Sequence, residues 1–206
     1  MKTRILFSLC FVMAAALVSF RISGIVLPLG SAVPKADVKM LDIHGKSVSF
    51  ADAAGKNGLL VMFTCNTCPY VIKNQERTKE ICKYALQNRI GVVLLNSNEA
   101  QRGDDDSYTA MQKYASEQGY NWYYLLDKDN VMADAFGASR TPECFLFTKD
   151  KKLAYHGAID DNPTDPTNIK RQHLKEAITE LMAGKEVSVK ESKSVGCGIK
   201  RSIKRA

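Results

Sequence analysis

The sequence predicts an α/β domain: a mixed sheet with a parallel core and an antiparallel edge, helices on both faces, and an N-terminal hairpin in front. Three observations lead there. Leu59-Leu60-Val61-Met62-Phe63 and Ile90 to Leu95 are unbroken apolar runs of strand length, as expected of strands buried on both faces. A helical stretch, Pro69 to Leu86, separates them, and a strand–helix–strand unit of this length pairs its strands in parallel. Later, Cys144 to Phe147 and Leu153 to Ile159 flank the turn Asp150-Lys151-Lys152 and read as an antiparallel pair.

The elements follow in order. Gly24 to Lys35 is a Pro-containing lead-in. Asp37 to Ile43 and Ser47 to Phe50 read as short strands around the turn His44-Gly45-Lys46. The first apolar strand follows Gly58, and the next helix has Pro69 in its first turn, where a missing N–H costs nothing. After the second apolar strand, Ser97 to Asp106 is a polar loop. Asp106 or Ser107 caps a helix running to Gln118, with Tyr108, Met111 and Ala115 on one face and Gly119 past its end. Trp122 to Leu126 reads as an aromatic strand and Asn130 to Phe136 as a short helix closed by Gly137. Ile169 to Ala183 is a final amphipathic helix ended by Gly184.

Charge divides the chain into three parts. The 206 residues carry a net charge of +7. Residues 1–23 hold Lys2, Arg4 and Arg21 and no acid, and residues 185–206 hold seven basic and two acidic residues. The body, 24–184, carries 19 basic against 20 acidic residues, so a basic nucleic-acid-binding face is not supported. Lys2 and Arg4 ahead of the apolar run Ile5 to Phe20 form the pattern of an export signal or a short membrane anchor. The expectation is a body carried to a periplasm, where disulfides form and persist. The basic segment 185–206 reads as a solvated tail.

The chemistry is concentrated in Cys65-Asn66-Thr67-Cys68-Pro69, at the junction of a buried strand and a helix. Unpaired backbone N–H groups and the positive end of the dipole at a helix start stabilise a thiolate. Cys65 is read as the exposed attacking thiolate and Cys68 as the buried thiol that resolves the mixed disulfide. Asn66 and Thr67 are uncharged and add little. Two other readings stay open: an inert structural disulfide, and a copper(I) site of Cys65, Cys68 and a folded-in His156, since that ion accepts two or three soft ligands. His44 and His173 are scattered, which leaves no four-ligand zinc set.

Thr141-Pro142 precedes a strand. A proline at a strand's first residue is often cis. Beside a redox motif it would leave backbone groups free to pair with a bound peptide. Cys82 lies too far along the helix from Cys68 to bridge it and reads as core, as does Cys144. Cys197, in Gly196-Cys197-Gly198, is a candidate third redox thiol.

Taken together, several stretches resemble the thioredoxin-like superfamily, and within it the peroxiredoxin-like branch of the alkyl hydroperoxide reductase/thiol-specific antioxidant (redoxin) family. They include Phe63-Thr64-Cys65-Asn66-Thr67-Cys68-Pro69-Tyr70-Val71, Asn96-Ser97-Asn98 with Asp104-Asp105-Asp106, Thr141-Pro142-Glu143, Tyr155-His156-Gly157 and Gly196-Cys197-Gly198-Ile199-Lys200. The resemblance implies a thioredoxin fold over 24–184, with Pro142 at the family's cis-proline and Cys65/Cys68 at its redox pair. It does not extend to peroxidase chemistry. A peroxiredoxin has Pro-x-x-x-Thr-x-x-Cys, whereas counting back from Cys68 meets Cys65 and Val61, and from Cys65 meets Met62 and Gly58. The expected activity is thiol–disulfide exchange with partner proteins, with Thr141 and Pro142 shaping the docking surface. No organic cofactor or metal is expected, and electrons come from or go to another protein. A thiol peroxidase and a copper-delivery module are the alternatives.

Overall fold

The two apolar runs lie side by side at the centre of the sheet. The computed structural model describes residues 25–202, so the segment 1–23, with Cys10, lies outside the described residues. In chain order the elements are β1 (Met40–Asp42), β2 (Ser47–Val48), α1 (Phe50–Ala53), β3 (Gly58–Thr64), α2 (Pro69–Lys73), α3 (Gln75–Gln87) and β4 (Ile90–Asn96). They continue with α4 (Tyr108–Gln118), β5 (Tyr123–Leu126), α5 (Val131–Phe136), β6 (Arg140–Thr141), β7 (Glu143–Thr148), β8 (Leu153–Gly157), α6 (His173–Met182) and β9 (Cys197–Gly198).

Seven strands form one sheet in the order β2-β1-β5-β4-β3-β7-β8. β3, β4 and β5 are parallel, while β7 runs antiparallel to β3 and β8 antiparallel to β7. The parallel core and antiparallel edge are therefore present as expected. The N-terminal hairpin is present too, but it is no appendage, since β1 pairs with β5 and extends the sheet.

The period of two along β3 divides its side chains between two cores. Leu60 and Met62 join the core that holds Ile81 and Cys82 of α3 with Leu174 and Ile178 of α6. Leu59, Val61 and Phe63 join the opposite core, with Met132, Ala133 and Phe136 of α5. Cys82 and Cys144 are fully buried, as read from the sequence, and burial pushes both thiols up from their ordinary pKa.

The structure corrects four boundaries. Phe50 does not end a strand; Ser49 forms a capping box with Asp52 and starts α1 instead. The helix expected over 69–86 breaks at Asn74, between α2 and α3. The Asn74 side-chain amide donates to the carbonyls of Tyr70 (2.7 Å) and Pro163 (3.0 Å), so it competes with the helix ladder and ties the break to a distant loop. The last helix starts at His173, because Asp161 has already taken the Lys170 N–H and pairs its own N–H with the Arg171 carbonyl. Finally, residues 185–202 do not form a loose solvated tail. Val187 and Ile199 are buried, His156 of β8 donates its N–H to the Lys190 carbonyl and accepts the Ser192 N–H, and β9 pairs with β6.

The Phe136 ring meets those of Phe50, Phe63, Phe145 and Phe147 at centroid distances between 5.0 and 5.9 Å. Phe136→Ala is expected to lower unfolding stability by about 3–5 kcal/mol, read from urea denaturation, because the surrounding sheet cannot collapse into the vacated space.

Candidate active site

Cys65 leaves the end of β3, and Cys68 is the N-cap residue of α2, with Pro69 at the first helical position. The turn between them is fixed by a buried polar network. The Asn66 backbone N–H donates to Asp106 Oδ1 (2.9 Å), and the Asn66 side-chain amide donates to the Asp105 carbonyl (2.8 Å). The Tyr124 hydroxyl donates to Asn66 Oδ1 (2.8 Å). Asn96 and Asn98 donate to the two oxygens of Asp106 at 2.6 and 2.8 Å. Asp106 has no exposed surface, so these donors replace water at its carboxylate. Asn66, dismissed from sequence as neutral filler, is thus the pin of the motif.

Thr141 supports both sulfurs. Its hydroxyl lies 3.6 Å from Cys65 Sγ, and its carbonyl lies 3.4 Å from Cys68 Sγ and accepts that thiol when protonated. The Thr141–Pro142 bond is cis, as anticipated. Glu143 holds the turn before this bond, accepting the Ser139 and Arg140 N–H groups at 2.8 and 3.0 Å. His156 Nε2 lies 2.8 Å from Glu143 Oε1. Burial pushes the Glu143 carboxyl up, but His156 and the two backbone N–H groups outweigh it and leave it below its ordinary value.

Both cysteines of the motif are covered. Cys65 is 1% exposed and Cys68 4%, so Cys65 is not the open, reachable thiol of the sequence reading. The neighbouring Cys65 thiol, and after it Cys197 and the start of α2, act against the cost of burial and bring the Cys68 pKa down to about 4. Cys65 moves the other way. It gives its proton to the Cys68 sulfur, it is buried, and the Asp106 charge faces it, so its thiol is held well above the ordinary range.

The cover over the pair is the chain's own C-terminal segment. Cys197, expected in a flexible tail, lies in β9 and packs with Tyr70 against Cys65, Cys68 and Val71. β9 runs antiparallel to β6, with Cys197 opposite Thr141 and Gly198 opposite Arg140. The edge expected to be free for a docked peptide is therefore filled. Lys200 N–H donates to Asn98 Oδ1 (2.8 Å), which ties this segment into the Asp106 network.

His156 is turned to Glu143 and stacks on Phe145, so it is not available as a third ligand beside the cysteines, and among the described residues no group of three His, Cys, Asp or Glu is arranged as a metal site. The copper reading loses its proposed ligand set. His44 sits in the β1–β2 turn and His173 begins α6. A surface groove of about 580 Å³ between α3 and α6 is lined by Glu80, Ile81, Tyr84 and Lys175 and contains no cysteine.

This sheet, with paired thiols where β3 meets α2 and Thr141-Pro142 alongside, defines a thioredoxin-like thiol oxidoreductase. The Redoxin family profile matches residues 28–173, and the chain belongs to that family. It is similar to a solved, uncharacterized conserved protein from Geobacillus kaustophilus, with 30% identity, a TM-score of 0.79, and coverage of 87% of this chain and 94% of that one. A hypothetical protein from Sinorhizobium meliloti 1021 is similar at 30% identity and a TM-score of 0.78, covering 85% of this chain and 96% of that one. The thioredoxin domain of a thiol-disulfide oxidoreductase from Bacteroides vulgatus shares the fold at 21% identity and a TM-score of 0.52, over 63% of this chain and 88% of that one. No curated protein matches the chain.

Sequence reasoning missed Asn66, Asn96, Asn98 and Asp106 as site residues. The available signal was a polar cluster placed directly after an all-apolar strand. Asp106→Ala leaves three buried donors without an acceptor and is expected to cost at least about 2 kcal/mol in urea unfolding.

Proposed function

We propose that the protein exchanges a Cys65–Cys68 dithiol for a disulfide with partner proteins, with Cys68 as the nucleophile. The observation that carries this reading is the Cys68 sulfur at the N-cap of α2, packed against Cys65, Val71 and Cys197. A sulfur so placed remains a thiolate at neutral pH, and it is also a good leaving group when attacked.

The steps balance as a two-electron exchange. The Cys68 thiolate attacks one sulfur of a partner disulfide, forming a mixed disulfide and releasing the other partner sulfur as a thiolate that takes up a proton. Cys65 then loses its proton and attacks Cys68 Sγ. The Cys65–Cys68 disulfide forms, and the second partner sulfur leaves, reduced. Once the mixed disulfide has formed, Cys68 carries no negative charge, so the strongest influence holding the Cys65 pKa up is gone. Run backwards, the same steps oxidise a partner dithiol. Thr141, against both sulfurs, positions them throughout. The export pattern of residues 1–23 supports a setting in which such disulfides persist.

The peroxidase alternative has less support, because the place three residues before the thiolate holds Cys65 where that chemistry uses Thr. Peroxide consumption equal to disulfide exchange in rate would favour it instead.

Two measurements test the reading. Thiolate ultraviolet absorbance of the reduced protein is expected to titrate near pH 4 and to stay level through neutrality. That step disappears in Cys68→Ser. In a glutathione series, the native chain is expected to form an intramolecular Cys65–Cys68 disulfide, identified by peptide mass mapping. A pair that stays reduced at every glutathione ratio would falsify the reading.

A further inference from the structure

Access to the redox pair is restricted. Cys65 and Cys68 are almost completely covered, yet disulfide exchange needs an attacking sulfur in line with the bond it breaks. The cover is itself a strand that carries a thiol. Cys197 is the one cysteine of the three with partial exposure, and it packs against Cys65 and Cys68. It packs there beside Tyr70 in the first turn of α2, so two sulfurs, Cys68 and Cys197, meet at one helix start.

The segment is built to hold this position. The Lys190 carbonyl accepts from His156 N–H (2.9 Å) and Ser192 N–H donates to the His156 carbonyl (3.0 Å), which sets its course along β8. Arg140 donates to the Gly196 carbonyl (3.0 Å), Ile199 N–H donates to the Ser139 carbonyl (3.0 Å), and Arg201 donates to the Ala138 carbonyl (2.7 Å). Gly196 passes so close to the backbone before Pro142 that a Cβ placed there would lie 2.0 Å from the Thr141 oxygen. A strand lies antiparallel on β6 and brings a sulfur to the nucleophile, which is the arrangement a disulfide-bearing substrate peptide would adopt.

We propose that the C-terminal segment is an intramolecular substrate strand, and that Cys197 is the entry thiol through which partners exchange electrons with the buried pair. This rests on the Cys65–Cys68 reading and extends it. From the oxidised state, Cys197 loses its proton and attacks Cys68 Sγ. The Cys68–Cys197 bond forms, the Cys65–Cys68 bond breaks, and Cys65 leaves as a thiolate that takes up a proton. No outside oxidant is consumed, because the disulfide is only passed along. A partner thiolate then attacks the partly exposed Cys197 sulfur, and Cys68 leaves as its stabilised thiolate. A second partner thiol attacks the partner sulfur of this mixed disulfide, which leaves Cys197 reduced and the partner oxidised.

The test uses the full chain. In Cys65→Ser, oxidised glutathione is expected to produce a Cys68–Cys197 disulfide, found by peptide mapping after acid quenching. In Cys197→Ser, the Cys65–Cys68 disulfide is still expected to form, while its reduction by glutathione slows by more than an order of magnitude. Gly196→Ala is expected to displace the strand, abolish the Cys68–Cys197 bond and speed alkylation of Cys68. If Cys65→Ser forms no Cys68–Cys197 bond, or if Cys197→Ser is reduced as fast as the native chain or faster, the segment is a lid and the relay is wrong. Failure of the underlying pair is seen separately, as absence of the Cys65–Cys68 disulfide in the native chain.

Discussion

Asp106 is fully enclosed, and its carboxylate collects three donors from two segments: Asn66 in the redox turn, and Asn96 and Asn98 at the end of β4. A buried carboxylate without such partners would be too costly to keep. The partners therefore have to stay, and with them the geometry of the Cys65–Cys68 turn. The clamp also extends outward, since Asn98 accepts the Lys200 N–H and Arg102 donates to the Asp106 carbonyl at 2.8 Å. One ion in the interior thus fixes the redox turn, the loop after β4 and the end of the C-terminal strand.

The sheet supplies what the clamp needs. β3 and β4 end side by side, with Thr64 opposite Asn96, so residues following them emerge at the same edge. β7 lies on the other side of β3 and carries Glu143 opposite Phe63, which brings Thr141-Pro142 to the same place. Parallel strands deliver their carboxyl ends together, and here the thiols, the carboxylate network and Thr141 all collect at those ends.

Charge separation within the thiol cluster follows from which sulfur meets the helix start. Cys68 occupies the N-cap position of α2, whereas Cys65 faces the Asp106 charge and the Thr141 hydroxyl. The C-terminal strand adds a third sulfur to the same helix end. Its placement depends on β6, a two-residue strand whose outer edge would otherwise lie open.

Much of this was legible in the sequence. The apolar runs 59–63 and 90–95 can be satisfied only by burial on two faces, which determined the parallel core, and Cys-x-x-Cys-Pro at a strand–helix junction marked the site. Period and composition are local properties, and they sufficed for these. The break at Asn74 was not legible, because it depends on the carbonyl of Pro163, distant in the chain. Nor was the choice of thiolate, since neutral Asn66 and Thr67 carry no sign of the donors that reach Cys68 or of the carboxylate that faces Cys65. The segment after 184 read as solvated because its composition is basic. Its order comes from backbone hydrogen bonds to β6 and β8, and backbone groups look the same in every sequence. What the sequence determined was which residues must leave water; the tertiary structure alone decided which sulfur meets the helix end and what lies across it.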